Sequence, residues 1–358
     1  MREIVSEFAR RIHRAALERV PLRLRGGGSK DFYGGPLLGE ILDTGCYAGI
    51  VAYDPTELVI TARCGTPLRE IEAVLAAQGQ MLAFEPPHFG AGATLGGAIA
   101  SGLAGPRRAT AGSVRDFVLG VKLMDGHGEV MNFGGQVMKN VAGFDVSRLM
   151  AGALGTLGVL LEISLKVLPR PATETTLRLE AQQGKALELM NGWAGRPLPI
   201  SATCWAAGDD EELLTLRLSG AHAAVAAARG LIGGESVDDA PAFWDELREQ
   251  RTAFFAVGIP LWRLSLPSVA PPLVLPGAQL IEWGGSQRWL ACDAPAELVR
   301  TGAAKAGGHA TLFRGGIEAR AAGVFQDLPA PLMALHKKLK QAFDPVGIFN
   351  PGRMFREF

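Results

Sequence analysis

The sequence predicts an α+β protein of two domains, and its length and a change of pattern midway carry that expectation. The chain has 358 residues, 48% apolar and 20% charged, enough for two cores at roughly 150 residues per domain. Glycine is in excess, with 46 residues, 26 of them within residues 1–170; that is about 13% overall, against a usual ~7%, and it reads as loops that bring bare backbone close to something bulky. At Pro169 and Pro171 the pattern changes to short strands alternating with helices, which reads as a largely antiparallel sheet covered by helices.

Taken in order, Ile4, Phe8, Ile12 and Ala15 line one face of an opening helix that Pro21 stops, with arginines opposite. Leu22–Arg25 reads as a short strand entering a glycine cluster, and residues 58–63 as another. Thr66 and Pro67 supply an N-cap and a first-turn proline for a helix along Leu68, Ile71 and Leu75, ending at Gly79. Residues 114–124 predict one long apolar strand, reversed by the turn Asp125-Gly126-His127-Gly128 and returned by 129–133. A helix around 144–153 precedes a strand over 157–168. Beyond the prolines, strands are expected near 174–180, 201–207, 213–219, 279–283, 287–292 and 309–313. Helices are expected over 183–192, 221–231, 241–250, 294–305 and 328–342. The proline-punctuated stretch 251–277 receives no assignment.

Charge excludes some functions. With 36 basic and 36 acidic side chains the formal net charge is zero, so no basic excess drives binding to a phosphate backbone. Cys46, Cys64, Cys204 and Cys292 are scattered without C-x-x-C or zinc-like spacing, which suits a reducing compartment. The six histidines show no metal-binding pattern, so no metal site is expected. The N-terminus lacks the apolar core of a secretory signal. The most apolar run, residues 152–168, is broken by Glu162 and Lys166 and is too polar for a membrane span. The expectation is a soluble, cytoplasmic protein, or at most a peripheral one.

Four stretches carry chemistry. Arg25-Gly26-Gly27-Gly28-Ser29-Lys30 sets three glycines after a strand, where successive N–H groups can turn inward as an anion nest, with the Ser29 hydroxyl and Lys30 charge beside them. A diphosphate is the natural guest; neither the Walker A nor the Rossmann spacing is met, and a flexible turn is the alternative for this loop alone. In the stretch Glu85–Gly105 (EPPHFGAGATLGGAIASGLAG), nearly every residue from Gly90 to Gly105 is Gly, Ala, Ser or Thr, which suits backbone lying against a flat ligand; tight helix packing is the alternative. The third stretch is Gly112–Gly120, in which Arg115 and Asp116 read as a structural ion pair. The fourth runs from Val137 to Asp145 and on through Gly152, Gly155 and Gly158, whose spacing predicts a loop entering a strand.

RGGGSK, ATLGGAIASG, GSVRDFVLGV, MKNVAGFDVSRLM and GALGTLGVL occur in the order seen in the vanillyl-alcohol-oxidase-like (PCMH-type) flavoproteins. The resemblance covers residues 4–170 and resumes at Asp344-Pro345-Val346-Gly347-Ile348-Phe349-Asn350-Pro351-Gly352-Arg353. Stretches such as YDPTELVITARCGTPL, EPPHFG and IEWGGSQRWL are similar to the FAD-binding subunits of bacterial glycolate oxidases.

The resemblance implies a PCMH-type FAD-binding domain of two α/β subdomains over 1–170, an α+β domain over 171–343, and a segment 344–358 returning to the first. Gly26, Gly27, Gly28, Ser29 and Lys30 would hold the pyrophosphate of FAD. Pro87, Thr94, Gly97, Ser101 and Gly102 would follow the flavin and its chain, joined by Gly112 and Ser113. Gly158 and Val159 would lie near the adenine or ribose. Relatives that bond FAD covalently use a histidine near the pyrophosphate loop or a later cysteine; neither is present, so noncovalent FAD is implied. The activity implied is FAD-dependent oxidation of a 2-hydroxy acid, glycolate to glyoxylate. The partners implied are a D-type flavoprotein subunit and an iron–sulfur subunit, since this chain has no cysteine cluster. That reaction needs a cation for the carboxylate and a base for the hydroxyl; Arg314, Arg353 and His309 are available, but no pattern fixes them there, so the catalytic residues stay unassigned. A self-sufficient hydroxy-acid or alcohol oxidase, or a noncatalytic FAD-binding assembly subunit, are the alternatives.

Overall fold

The opening helix, Arg2–Glu18, buries Phe8, Ile12 and Ala15 on the face the periodicity marks, and Arg19 ends it in left-handed backbone at φ 54°. The computed structural model describes residues 1–135, 145–208 and 211–358. The Val137–Phe144 part of the fourth stretch, and the start of the helix expected at 144–153, lie outside the described residues. The chain divides into two compact units. The first comprises Met1–Leu103, Ser113–Pro169 and Asp327–Phe358, the second Ala104–Gly112 and Arg170–Gln326.

In the first unit Leu22–Arg25 pairs in parallel with Glu40–Asp43, and Phe349 bridges Leu22 in parallel on the other side. A five-stranded antiparallel sheet follows in the order Ile50–Asp54, Val59–Arg63, Val159–Lys166, Val118–Met124, Val130–Gly134. Its central strand, Val159–Lys166, buries residues on both faces, which is why it reads as a continuous apolar run. The helix Leu68–Ala77 begins after Pro67. Thr66 does not cap it: its hydroxyl donates to the Arg63 carbonyl at 2.7 Å and accepts from Gly49 N at 2.9 Å.

The long strand expected over 114–124 is corrected. Val114–Phe117 is a helical turn, and only Val118–Met124 is strand. The cause is a capping box, in which the Ser113 N–H and hydroxyl both donate to the Asp116 carboxylate at 2.7 Å. Asp116 thus serves Ser113 rather than forming the ion pair expected with Arg115. Burial pushes that carboxyl up, but the Ser113 bonds, with Arg115 and Arg148 nearby, hold it below the usual carboxylate range. Within 145–153 only Val146–Leu149 is helical.

The second unit carries an eight-stranded sheet whose pairings are all antiparallel. The strand order is Glu235–Ser236, Thr173–Glu180, Glu212–Gly220, Ile200–Ala207, Ala278–Glu282, Gln287–Ala291, Leu261–Ser265, His309–Arg314. Helices Gln183–Ala194 and His222–Ile232 pack Leu187, Met190, Val225 and Ala228 onto Leu214, Leu216, Leu218 and Trp205. Helix Ala296–Lys305 packs Val299 and Ala303 onto Trp262, Leu264 and Leu290. Strand Leu261–Ser265, an interior member of the sheet, falls in the stretch left unassigned.

The units depart from the expected boundaries in two places. Residues 104–112 group with the second unit: Arg107 pairs with Glu174 at 2.5 Å, Thr110 donates to the Ser201 carbonyl at 3.2 Å, and Trp283 Nε1 donates to the Gly105 carbonyl at 3.1 Å. Residues 327–343 group with the first, because helix Ala330–Phe343 buries Lys340 there. The Lys340 ammonium donates to the Thr156 carbonyl and the Asp344 carboxylate at 2.7 Å and to the Phe349 carbonyl at 2.9 Å. Among the described residues no helix is long and apolar enough to cross a membrane.

Candidate functional site

The glycine loop is built by two loops packing backbone to backbone. An added Cβ on Gly27 would lie 1.4 Å from the Gly92 carbonyl oxygen, and one on Gly26 would lie 2.4 Å from Thr94 Oγ1. Gly28 is left-handed at φ 71°. Among the described residues, no hydrogen bond from the backbone N–H groups of Gly26, Gly27, Gly28 or Ser29 reaches a protein acceptor.

These four residues line an open cleft of about 570 Å³. Its lining includes Ser29 and Lys30 from the loop and Thr94, Gly97, Ala100 and Ser101 from the segment opposite. That segment is a helix, Leu95–Ser101, capped by Thr94, whose hydroxyl accepts from Gly97 N at 3.3 Å. The bare stretch packs against the chain itself and also walls the cleft. Gly96 packs a helix turn against Cys64, where a Cβ would approach to 2.8 Å, and the Gly97 and Ser101 side of the same helix faces the cleft. The Lys30 ammonium donates to the His88 carbonyl at 3.2 Å and lies 5.7 Å from the Phe89 ring centroid.

A second cleft of about 410 Å³ adjoins the first through shared walls at Leu24, Gly26, Gly97, Ala100, Leu154 and Asn350. Gly158 and Val159 line it, with Thr44, Cys64 and Gly155. The Cys64 thiol is fully buried, and desolvation pushes its pKa up to about 12, so it stays protonated and poorly nucleophilic.

Of the residues the sequence singled out, Gly26, Gly27, Gly28, Ser29, Lys30, Thr94, Gly97 and Ser101 meet at the first cleft, and Gly158 and Val159 at the second. Pro87, Gly102, Gly112 and Ser113 line neither. Gly102 ends the helix in left-handed backbone, where a Cβ would meet Gly152 at 2.9 Å. Gly112 ends the turn Arg108–Ala111, and Ser113 is engaged with Asp116. Sequence reasoning missed Asn350 as a wall of both clefts and placed Arg353 among candidate substrate cations. The Arg353 guanidinium instead donates to the carbonyls of Asp31 at 2.9 Å, Lys30 at 3.4 Å and Gly35. His309 and Arg314 open and close one six-residue strand, about 16 Å apart at the usual rise, so they do not form a cation–base pair with one another.

A dinucleotide diphosphate needs backbone donors and a cation, and its planar head needs small neighbours. The cleft offers four N–H donors in sequence, the Ser29 hydroxyl and the Lys30 ammonium. The adjoining walls present Gly97, Ala100, Gly155 and Gly158. The donor set fits FAD.

Comparison with known proteins agrees. A family model described as an FAD binding domain matches residues 4–134. The chain is 52% identical over 346 residues to glycolate oxidase subunit GlcE of Escherichia coli (strain K12), covering 97% of this chain and 96% of that protein. It is 31% identical over 175 residues to glycolate oxidase subunit GlcD of Bacillus subtilis (strain 168), covering 48% of this chain and 37% of that protein. Among solved structures, 4-ethylphenol oxidase from Gulosibacter chungangensis superposes with a TM-score of 0.70 at 13% identity, over 98% of this chain and 87% of that one. An alkyldihydroxyacetonephosphate synthase superposes at 0.66 and 15% identity, over 97% and 75%. At such identities these two show a shared fold alone, that of the PCMH-type flavoproteins.

Proposed function

The chain belongs to the family of the glycolate oxidase subunit GlcE and carries an FAD-binding domain, and from that premise we propose that it works as the FAD-binding subunit of a complex oxidising glycolate to glyoxylate. The observation that carries the reading is the run of four unengaged N–H groups, Gly26 to Ser29, on the wall of the cleft. These groups would receive the diphosphate, with Ser29 Oγ and Lys30 Nζ beside them. Thr94, Gly97 and Ser101 would follow the chain toward the flavin, and Gly158 and Val159 would border the adenosine end.

When bound, FAD accepts an electron pair from an alcohol carbon and releases electrons singly. The residues of this chain bind and orient it. Thr94 fixes the helix that floors the cleft, and the His88 carbonyl holds the Lys30 ammonium beside the loop. Cys64, protonated at neutral pH, offers no thiolate for attachment, so the flavin is held noncovalently. Onward transfer goes to a separate iron–sulfur subunit, with a D-type flavoprotein as the third component. Cys64, Cys204 and Cys292 are buried and Cys46 alone is exposed, and burial raises the Cys204 thiol as well, which disfavours thiolate ligation within this chain.

The test is reconstitution. The purified chain should take up one FAD and show no glycolate-dependent dye reduction alone, and turnover should appear when the D-type and iron–sulfur subunits are added. Turnover by the chain alone would favour a self-sufficient oxidase. Full activity of a complex whose chain no longer binds FAD would reduce it to an assembly subunit.

A further inference from the structure

We propose that the hook Asn350–Arg353 is the positioning device of the phosphate loop: Arg353 and Asn350 set the spacing of the donors that receive the diphosphate of FAD, an inference that rests on the site reading above. Three glycines in a row have the largest backbone freedom to lose, and the N–H groups of Gly26 to Ser29 are without protein acceptors, so something outside the loop must hold its ends.

The hook holds both. At the entrance, Asn350 Oδ1 accepts from Leu24 N at 2.9 Å and Asn350 N donates to the Leu22 carbonyl at 2.9 Å. At the exit, the Arg353 guanidinium takes the carbonyls of Lys30 and Asp31 at 3.4 and 2.9 Å, together with that of Gly35, while Gly35 N donates to the Arg353 carbonyl at 2.7 Å. The Asn350 amide also crosses to the opposite wall, donating to the Leu154 carbonyl at 2.7 Å. One short segment thus fixes the loop's two ends and its distance from the facing wall. Both side chains line the cleft and both residues are more than nine-tenths buried. Asn350 adopts left-handed backbone at φ 42°, a conformation asparagine tolerates better than most residues.

The hook is itself anchored. Asp344 accepts from Gly347 N and Ile348 N at 3.0 Å and from Phe349 N at 2.7 Å, and the buried Lys340 ammonium completes its shell. Arg353 also places a guanidinium beside the loop, so its contribution to FAD affinity combines geometry with field.

The experiment compares wild type with Arg353→Met and Asn350→Ala. FAD affinity of the apoprotein is read by calorimetry, the bound diphosphate by 31P NMR, and apoprotein folding by thermal melting. The expected result is a cooperative apo melt, an FAD Kd at least tenfold weaker, and displaced 31P resonances. Arg353→Lys, which keeps the charge and one strong donor, should recover part of both; if Arg353→Met fails to fold, this variant carries the test with the same expected signs. Folded hook variants with wild-type Kd and unmoved 31P signals would overturn the proposal, as would weaker binding with unmoved signals, since that is general loosening. Ser29→Ala separates the two readings. If it weakens FAD binding while the hook variants do not, the hook alone is wrong. If it too leaves Kd and 31P signals unchanged, the diphosphate lies elsewhere and the site reading fails.

Discussion

Replacing Gly27 with alanine should abolish tight FAD binding without unfolding the protein, and the size of the loss follows from one distance. The new Cβ would lie 1.4 Å from the Gly92 carbonyl oxygen and 2.3 Å from its carbon, where real Cβ contacts under 3.0 Å are essentially never seen. Both partners are backbone, so no side chain can rotate away, and the two loops must part by about 3.0 minus 1.4, or 1.6 Å. A displacement of that size takes a ~2.9 Å hydrogen bond to roughly 4.5 Å, beyond bonding range. Each bond to a charged phosphate oxygen contributes about 1.5–3 kcal/mol. Losing one or two amounts to about 1.5–6 kcal/mol, or roughly 10- to 20,000-fold in Kd. The assay is FAD titration of apoprotein by flavin fluorescence quenching, with circular dichroism to show that the fold survives. Gly192→Ala is the control: nothing lies within 4 Å of its added Cβ, and it sits in the helix Gln183–Ala194, so it should raise stability by about 0.5–1 kcal/mol and leave FAD affinity alone. A Gly27→Ala protein that binds FAD within threefold of wild type would refute the claim that this contact shapes the site.

Lys340→Met should destabilise the apoprotein by about 3–5 kcal/mol, read by urea titration, because it strands the fully buried Asp344 carboxylate without its cation. Acid precipitation should release all flavin into the supernatant, and iodoacetamide at mildly alkaline pH should label Cys46 alone in the folded protein, since the other three thiols are buried; flavin retained on the precipitated chain would refute noncovalent binding. Glu174 makes stability acid-sensitive. Burial pushes its carboxyl up, but the Ser219 hydroxyl and the guanidiniums of Arg107 and Arg217 bring it below the usual 4.5. Its stabilisation is therefore present above that value and lost as pH falls through the lowered one. Glu174→Gln should lower the urea midpoint near neutrality, where that stabilisation is present, and flatten its fall in the acid window.

Where side-chain spacing decides a structure, the sequence is readable. Phe8, Ile12 and Ala15 mark the first helix, and the apolar run Val159–Lys166 marks the central strand. Where two structures share one pattern, it is not. An apolar run such as Val114–Met124 suits a buried strand or a helix turn equally, and the decision rests on Ser113 meeting Asp116 three residues on. Strand Leu261–Ser265 is hidden by prolines at 260 and 267, although its register with Gln287–Ala291 and His309–Arg314 makes it interior. Strand Glu40–Asp43 shows three exposed residues and one buried, too little periodicity to detect. The site divides the same way. Three consecutive glycines announce the loop, but its hold on Asn350 spans 326 positions, a separation that no local pattern encodes.

The glycine excess has its cause in packing. Composition predicts bare backbone brought close to something bulky, and the atoms that exclude a side chain at Gly26, Gly27, Gly96 and Gly102 belong to the chain itself: Thr94, Gly92, Cys64 and Gly152. The ligand site is the consequence. Where two loops pack through Cα and carbonyl atoms, the residues of Gly26–Ser29 also line the cleft, and their N–H groups have no protein acceptor to quench them. It follows that the glycines act before any flavin arrives. Gly96→Ala, whose Cβ would press on the Cys64 Cβ at 2.8 Å and its carbonyl oxygen at 3.0 Å, should lower the melting temperature of the apoprotein as well as of the FAD-loaded form. The overpacking cost of about 1–3 kcal/mol should be the same in both. A variant equal to wild type as apoprotein and weaker only when loaded would mean that the ligand, and not the chain's own backbone, requires glycine there.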